Sequence, residues 1–502
     1  MPLLLDWTTD ADRRHAAGRG RHFAHRPPAC TVAGPETSRV HGSPLPRPVA
    51  FDHRPYGHRP VLHHAAPAQA RPGLGRAYNL ILGAGTVSSL GDGVAFVAFP
   101  LLATSLTHSA ALIAGVAMAS RLPWLVVALP AGALADRFDR RRMLTTIEAS
   151  RMAVLLALGL SIATHRVDLL QLYLAAFLLG SFETGFVATT QAVLPEVIPG
   201  DQLAKGNGRL FAAQMAGEQF AGPAVGGLLF AAAAALPFVA DGLSFAASAA
   251  LLALALPRRP RRRVAAPVTV ARRSIRSEVA EGVTWLTRQP VLRLVAVMIA
   301  TFAFCQSMGL AILVVYGLRV LHLSGSAFGL FVAGGAIGNL IGALGAHRVL
   351  ARVGIGRLLV GAGVLAGTAV LLVAGSSSVA VALGAFILEA VAVGLGNVAS
   401  LSLRQSMIPR ELAGRVNAAL RMCISGAAAI GALAGGALAT VSGAQAPFLA
   451  GGVLQLLAGL AIGVPLSRAL ADQRDADDLV VEDWVSAPPS PADDRPAVTD
   501  VA

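Results

Sequence analysis

"GALADRFDRRRM", residues 132–143, holds six charged residues in twelve, in a chain of which only 14% are Asp, Glu, Lys or Arg. It interrupts two apolar runs, "LPWLVVALPA" (122–131) before it and "AVLLALGLSIA" (153–163) after it. Apolar run, charged hinge, apolar run is the pattern of two helices that cross a bilayer and turn in water. The pattern recurs along the chain. Hydrophobic residues make up 55% of the 502, and the mean hydropathy is +0.63, both high for a soluble domain. In lipid the backbone must satisfy its own hydrogen bonds, so each run reads as a helix. The fold class is an all-α polytopic membrane protein.

Twelve spans are predicted. Six lie near 78–103, 109–133, 144–164, 168–194, 208–235 and 238–257. Six more lie near 291–320, 327–346, 357–375, 379–403, 418–441 and 447–466. They divide the chain into a Pro/Arg/His-rich tail (1–76) read as disordered, a six-helix bundle (77–257), a linker (258–289), a second six-helix bundle (290–467) and an acidic disordered tail (468–502). The second half of the linker, about 274–288, places Ile275, Val279, Val283, Trp285 and Leu286 near helical spacing and reads as an amphipathic helix on the membrane surface. The net charge of +13 raises the question of nucleic acid. The arginines instead fall in alternate hinges: Arg137, Arg140, Arg141 and Arg142 in one, Arg348, Arg352 and Arg357 in another, Arg404, Arg410 and Arg415 in a third. The opposite hinges "LTHSA", "THRVD", "GSSS" and "SGAQAP" hold one arginine between them. This positive-inside pattern puts both termini and the linker in the cytoplasm, with the chain in the inner membrane, and leaves no role for nucleic acid.

The halves resemble each other at an offset near 210. Ile198, Pro199, Asn207 and Leu210 match Ile408, Pro409, Asn417 and Leu420; "GPAVGGLL" from Gly222 echoes "GALAGGAL" from Gly431; "GAL" at Gly132 recurs at Gly342. Six spans per copy make the repeats parallel, which suggests two bundles that rock about a site at the midplane.

On these features the chain resembles the major facilitator superfamily over about 78–466. Gly132, Leu134, Asp136, Arg137, Arg140 and Arg141 fill the superfamily's loop signature between its second and third spans, with Asp139 where a Gly usually stands. "ADRFDRRR" and the stretches around Pro199 and Pro409 resemble the branch of drug and siderophore exporters that includes macrolide-efflux and enterobactin-export proteins. The resemblance implies alternating access, and a conformational latch in which Asp136 meets the start of the eleventh helix, where the helix dipole favours an acid. In "GPAVGG", Gly222, Pro223, Gly226 and Gly227 match the core of the antiporter signature, and the same glycines fit close helix packing. Many proton-linked exporters of the superfamily carry an Arg in the fourth span. Here that span has Glu183 instead, so schemes built on that Arg do not carry over.

Ionisable groups at membrane depth cost about 2.5–3.5 kcal/mol each. Asp92, Glu183, Glu218 and Glu389 lie at such depth and are candidates for proton coupling or for holding a cationic substrate, because desolvation favours the protonated form of an acid. Each also fits a local salt bridge, and Arg121 is placed to neutralise Asp92. Asp241 reads as near the outer rim, and Arg151 as close enough to the cytoplasmic face to snorkel. Gln306, Asn339, Asn397 and Gln405 fit either cavity lining or interhelical hydrogen bonding.

The sequence has no Walker loop, no zinc spacing and no catalytic constellation. Cys30, Cys305 and Cys423 are too dispersed for a metal or redox motif. The chain reads as a secondary transporter and not an enzyme, a monomer without cofactors that exchanges a small hydrophobic or amphipathic compound for protons. Uptake of a metabolite is the alternative, and a membrane sensor or assembly factor is a third reading.

Overall fold

The computed structural model describes residues 74–127, 138–199, 202–256, 275–409 and 412–469. The tail before residue 74, most of the basic linker and the acidic C-terminal tail lie outside the described residues. So do Gly132, Asp136 and Arg137 of the hinge.

Every described element is helical. In chain order these are α1 (Arg76–Leu106), α2 (Ala110–Arg121), α3 (Pro123–Val126), α4 (Arg140–Ala163), α5 (Leu169–Val197), α6 (Leu203–Gln214), α7 (Gly222–Ala232) and α8 (Leu236–Ala255). Then follow α9 (Ile275–Arg288), α10 (Pro290–Leu310), α11 (Leu313–Arg319), α12 (Gly325–Val353), α13 (Ile355–Ala374), α14 (Val379–Met407), α15 (Ala413–Ser442) and α16 (Ala446–Ala461). Ten helical runs among the described residues are long and apolar enough to cross a membrane. Two predicted spans are not among them. The second is the shorter apolar helix Ala110–Val126, stepped at Leu122–Pro123 where proline lacks an amide hydrogen. The fifth is built from α6 and α7, joined by a π-helical segment, Met215–Ala221, that carries Glu218 and Gln219.

Helix α4 starts at the N-cap Asp139, whose carboxylate accepts from the Arg142 amide at 2.9 Å. An acid at an N-cap satisfies an otherwise orphaned donor, and this accounts for Asp where the family signature has Gly. Helix α4 thus begins four residues before the predicted start at 144. Arg140 donates to Ala192 O and pairs with Glu196 at 2.6 Å, both on the end of α5. Arg141, half-buried, sits beside it on the first turn.

The repeat reappears as equivalent packing. Gly226 of α7 sits on Val94 of α1, where a Cβ would lie 2.6 Å from Val94 O, and Gly435 of α15 sits on Met308 of α10. One residue on, the contacts cross between the halves. A Cβ on Gly227 would lie 2.7 Å from Gly325 O and 3.0 Å from Gly329 Cα of α12, and one on Gly436 would lie 2.6 Å from Ala114 Cβ and 2.9 Å from Ala111 Cα of α2. Gly222 packs on Gly93 within its own half, with Pro223 O against Gly329 in the other half. The GPAVGG glycines therefore bind two partners at once.

At the end holding the arginine-poor turns, one apolar core spans both halves. It runs from Leu101, Ile113 and Phe238 to Tyr316, Phe331 and Phe448. Arg319 donates to His108 O at 2.9 Å and the Ala111 amide to Thr440 Oγ1 at 3.1 Å, both between the halves. Toward the arginine-rich end the cores separate. Ile81, Leu144 and Leu252 belong to a cluster in the first half, and Val295, Leu359 and Leu403 to one in the second. The halves are sealed at the arginine-poor end. A side chain at Gly227 would wedge that seal open, because overpacking a close backbone contact costs about 1–3 kcal/mol. In Gly227→Leu, spin labels at Ser105 and His322, with Cys30 and Cys423 replaced, are expected to move apart by several ångströms. An unchanged distance distribution would remove the seal from this contact.

The amphipathic helix predicted in the linker is α9, and its second half is held by protein. Leu286 is buried with Leu292, Val416 and Leu420; Glu281 pairs with Arg415 at 2.8 Å; Gly282 lies against Arg415 O. It is docked on the start of α15.

Candidate functional site

A cavity of about 210 Å³ lies between the halves. Its two walls differ in chemistry. The first half contributes Asp92 from α1, Arg121 from α2, Arg151 from α4, Glu183 from α5, Glu218 from the π-segment and Asp241 from α8. The second half contributes apolar groups such as Leu310, Leu313, Val314, Phe328 and Val332, with Ser307 as its polar member. The charge comes from the first half alone, whereas apolar groups line both walls, Phe96, Phe99, Ile113 and Leu179 of the first half among them.

Arg151 organises the charged wall. It is 2% exposed, and its Nη2 donates to Asp92 Oδ1 at 3.2 Å. Its guanidinium lies 4.4 Å from the Phe245 ring centre and 5.9 Å from that of Phe186, a desolvated cation–π arrangement that fixes the head group in place. The carboxylates of Asp92, Glu148, Glu183 and Asp241 all act on it electrostatically. Glu148, fully buried one turn earlier on α4, accepts from Ser248 at 3.0 Å. Glu148 Oε2 and Arg151 Nε have no protein partner, so the network keeps hydrogen-bonding capacity in hand.

Three expectations are corrected here. Arg151 does not snorkel. Because α4 starts at Arg140, Arg151 lies eleven residues along it, about 16 Å from its end at 1.5 Å per residue. It is level with Asp92, the middle of the 31-residue α1. The partner of Asp92 is consequently Arg151 and not Arg121, which acts on Glu218 instead. Asp241, expected at the rim, is 1% exposed and lines the cavity. Gly91 lets α8 approach α1 so closely that an added Cβ would strike the Asp241 carboxylate. Ser244 donates to that carboxylate at 3.1 Å. Glu148 was missed altogether, because a lone acid eight residues from an arginine-rich hinge reads as part of the hinge until the helix start is known.

Glu183 and Glu218 both line the cavity with Asp92, as three of the candidate acids. Asp92 keeps 33% of its side chain open to it. The π-segment has a clear local role, since Gly217 abuts the Leu90 amide and Gly93 the Gly217 and Glu218 carbonyls. The extra residue per turn turns Glu218 inward, a common use of π-bulges. Asn339 of α12 donates to Gln219 Oε1 at 3.2 Å. The fourth acid, Glu389, does not join the cluster. It lies in a separate small cavity inside the second half.

The cavity thus collects four carboxylates and two guanidiniums, with Glu148 as a fifth acid behind them. Acids outnumber cations along this wall. Burying unpaired charge is costly, so this wall is stable when it carries added positive charge, whether protons or a cationic guest.

A bundle of apolar helices in two similar halves, closed at one end around a charged internal cavity, is the structure of a polytopic membrane transporter. The sequence matches the family model "Major Facilitator Superfamily" over residues 81–432 and 321–489, and the chain belongs to that superfamily. It is a transporter of small solutes by alternating access, and not an enzyme. It is 27% identical over 395 residues to the uncharacterized MFS-type transporter YfiS of Bacillus subtilis, covering 76% of this chain and 91% of that one. It is 28% identical over 405 residues to the multidrug efflux pump Tap of Mycolicibacterium fortuitum, covering 78% and 96%. A crystal structure of a bacterial homologue of the iron transporter ferroportin in the inward-facing state shares the fold. Its TM-score is 0.64 at 16% identity, over 78% of this chain and 98% of that one.

Proposed function

We propose that this chain exports small cationic, amphipathic compounds in exchange for protons. The supporting observation is the two-faced cavity, with an acid-rich wall from the first half facing an apolar wall from the second. A lipophilic cation satisfies both walls at once: its charge replaces protons on Asp92, Glu183, Glu218 or Asp241, and its hydrocarbon lies against Leu310, Phe328 and Val332. The similarity to a protein named as a multidrug efflux pump supports the same direction of transport.

In this reading the chain forms twelve spans in two six-helix halves, 77–257 and 290–467, with α2–α3 and α6–α7 as the second and fifth. The arginine-rich end and both termini face the cytoplasm, and the seal at the other end makes the described state inward-facing. The cation enters from the cytoplasm or inner leaflet and displaces protons. The halves rock, and proton uptake from outside releases it. Asp136 serves as the latch for the outward-facing state, and Asp136→Asn is expected to slow cycling while leaving substrate binding intact.

The reading is tested by ethidium transport in inverted vesicles. Accumulation that requires the proton gradient and collapses with a protonophore is the expected result. Protonophore-insensitive accumulation, or none, would count against proton exchange.

A further inference from the structure

The cavity around Glu389 is chemically unlike the main one. It holds about 30 Å³, room for one or two water-sized occupants and too little for an amphipathic compound. Helices α10, α11, α13, α14 and α16 of the second half line it, and α10, α14 and α16 supply its carboxylate and amide groups. Glu389 of α14 is 5% exposed, Gln306 of α10 lines the cavity beside it, and Gln455 of α16 is 1% exposed. Among the described residues no arginine, lysine or histidine pairs with Glu389. Gln455 lines the cavity, and its Oε1 has no hydrogen-bond partner.

A lone buried carboxylate, a second buried oxygen without a donor, and a space the size of a water make a set of hard oxygen ligands. One carboxylate balances one positive charge, which favours a monovalent over a divalent cation. The backbone beside it is interrupted. Helix α10 ends at Leu310 and α11 resumes at Leu313, with Ile312 bonding to Gly309 in a tighter turn. Broken membrane helices recur at cation sites, where the unwound turn supplies carbonyl oxygens. Leu310 and Leu313 line both cavities, so this turn is also the partition between them.

We propose that Glu389, Gln306 and Gln455 form a site for a dehydrated monovalent cation of sodium size, next to the substrate cavity and separated from it by the α10–α11 break. Cation binding ties α10, α14 and α16 together and sets the position of Leu310 and Leu313 in the substrate wall. The proposal stands apart from proton exchange at the first-half acids, because the two cavities share none of their charged groups.

The test is binding of radiolabelled sodium to the purified full chain at pH 8, together with thermal unfolding in sodium against choline. Saturable binding of about one sodium per chain is expected, with unfolding shifted upward by sodium. Glu389→Gln is isosteric and needs no counterion. It is expected to bind no sodium and to unfold at a temperature independent of sodium. Gln455→Leu keeps the charge and loses one oxygen, and is expected to bind sodium about tenfold or more weakly; it decides the matter if Glu389→Gln does not fold. Absence of sodium binding to the wild type, undiminished binding in Glu389→Gln or in Gln455→Leu, or stabilisation by acid pH alone would overturn the proposal, the last in favour of a proton.

Discussion

Replacing Arg151 by Met is expected to be the most damaging single change in the first half. The variant leaves Asp92, Glu148, Glu183 and Asp241 around a site with no central cation. Breaking a buried ion pair by removing one partner costs about 3–5 kcal/mol, because the other charge is left uncompensated. It also removes the guanidinium from the faces of Phe245 and Phe186, worth a further ~1–2 kcal/mol when desolvated. A strong fall in thermal stability in detergent is expected, with transport lost. Arg151→Lys keeps the charge but not the planar stacking and should fall between. If the loss comes from stranded charge, adding Asp92→Asn to Arg151→Met should recover much of the stability, a coupling that a double-mutant cycle measures directly. An Arg151→Met protein as stable as wild type would mean that the arginine does not hold the cluster together.

The second large effect is expected for Asp92→Asn. Asp92 is the acid that both touches Arg151 and opens to the cavity, at 3.2 Å and with a third of its side chain exposed. It is therefore placed to exchange the arginine for a proton or a substrate cation. The amide keeps the shape and loses the titration. One pH unit across the membrane is worth about 1.4 kcal/mol per proton, or about tenfold in accumulation. Wild-type efflux should climb with the imposed pH gradient, whereas Asp92→Asn should be flat against it and no higher than protonophore-treated wild type. Insertion and dye binding should persist. A variant that still follows the gradient would move coupling to Glu183, Glu218 or Asp241.

The fold was largely legible in the sequence. Apolar runs separated by arginine-rich and arginine-poor turns give the helices, and the repeat offset near 210 gives the equivalent packing positions of Gly226 and Gly435, and of Gly227 and Gly436. Helix ends were less legible. A single N-cap, Asp139, moved the start of α4 by one turn and carried Arg151 and Glu148 to mid-membrane. Hydropathy cannot register that, because it averages over windows longer than the shift. The π-segment at Met215–Ala221 was likewise invisible, since it depends on close approach of α1 through Gly93 and not on a local signal. Side-chain partners were least legible of all. Asp92 with Arg151, and Asp241 against Gly91, are set by which helix faces meet, and charge at membrane depth says only that some partner exists.

The central claim is that the acid-rich wall exchanges protons for a cation, and proton release on binding measures it most directly. Purified protein in weakly buffered detergent solution is titrated with tetraphenylphosphonium, a lipophilic cation that cannot itself titrate, while a pH indicator follows the medium. The account predicts saturable release of protons on binding, lost or reduced in Asp92→Asn. Saturable binding with no proton release in the wild type, across the pH range in which it transports, would contradict it.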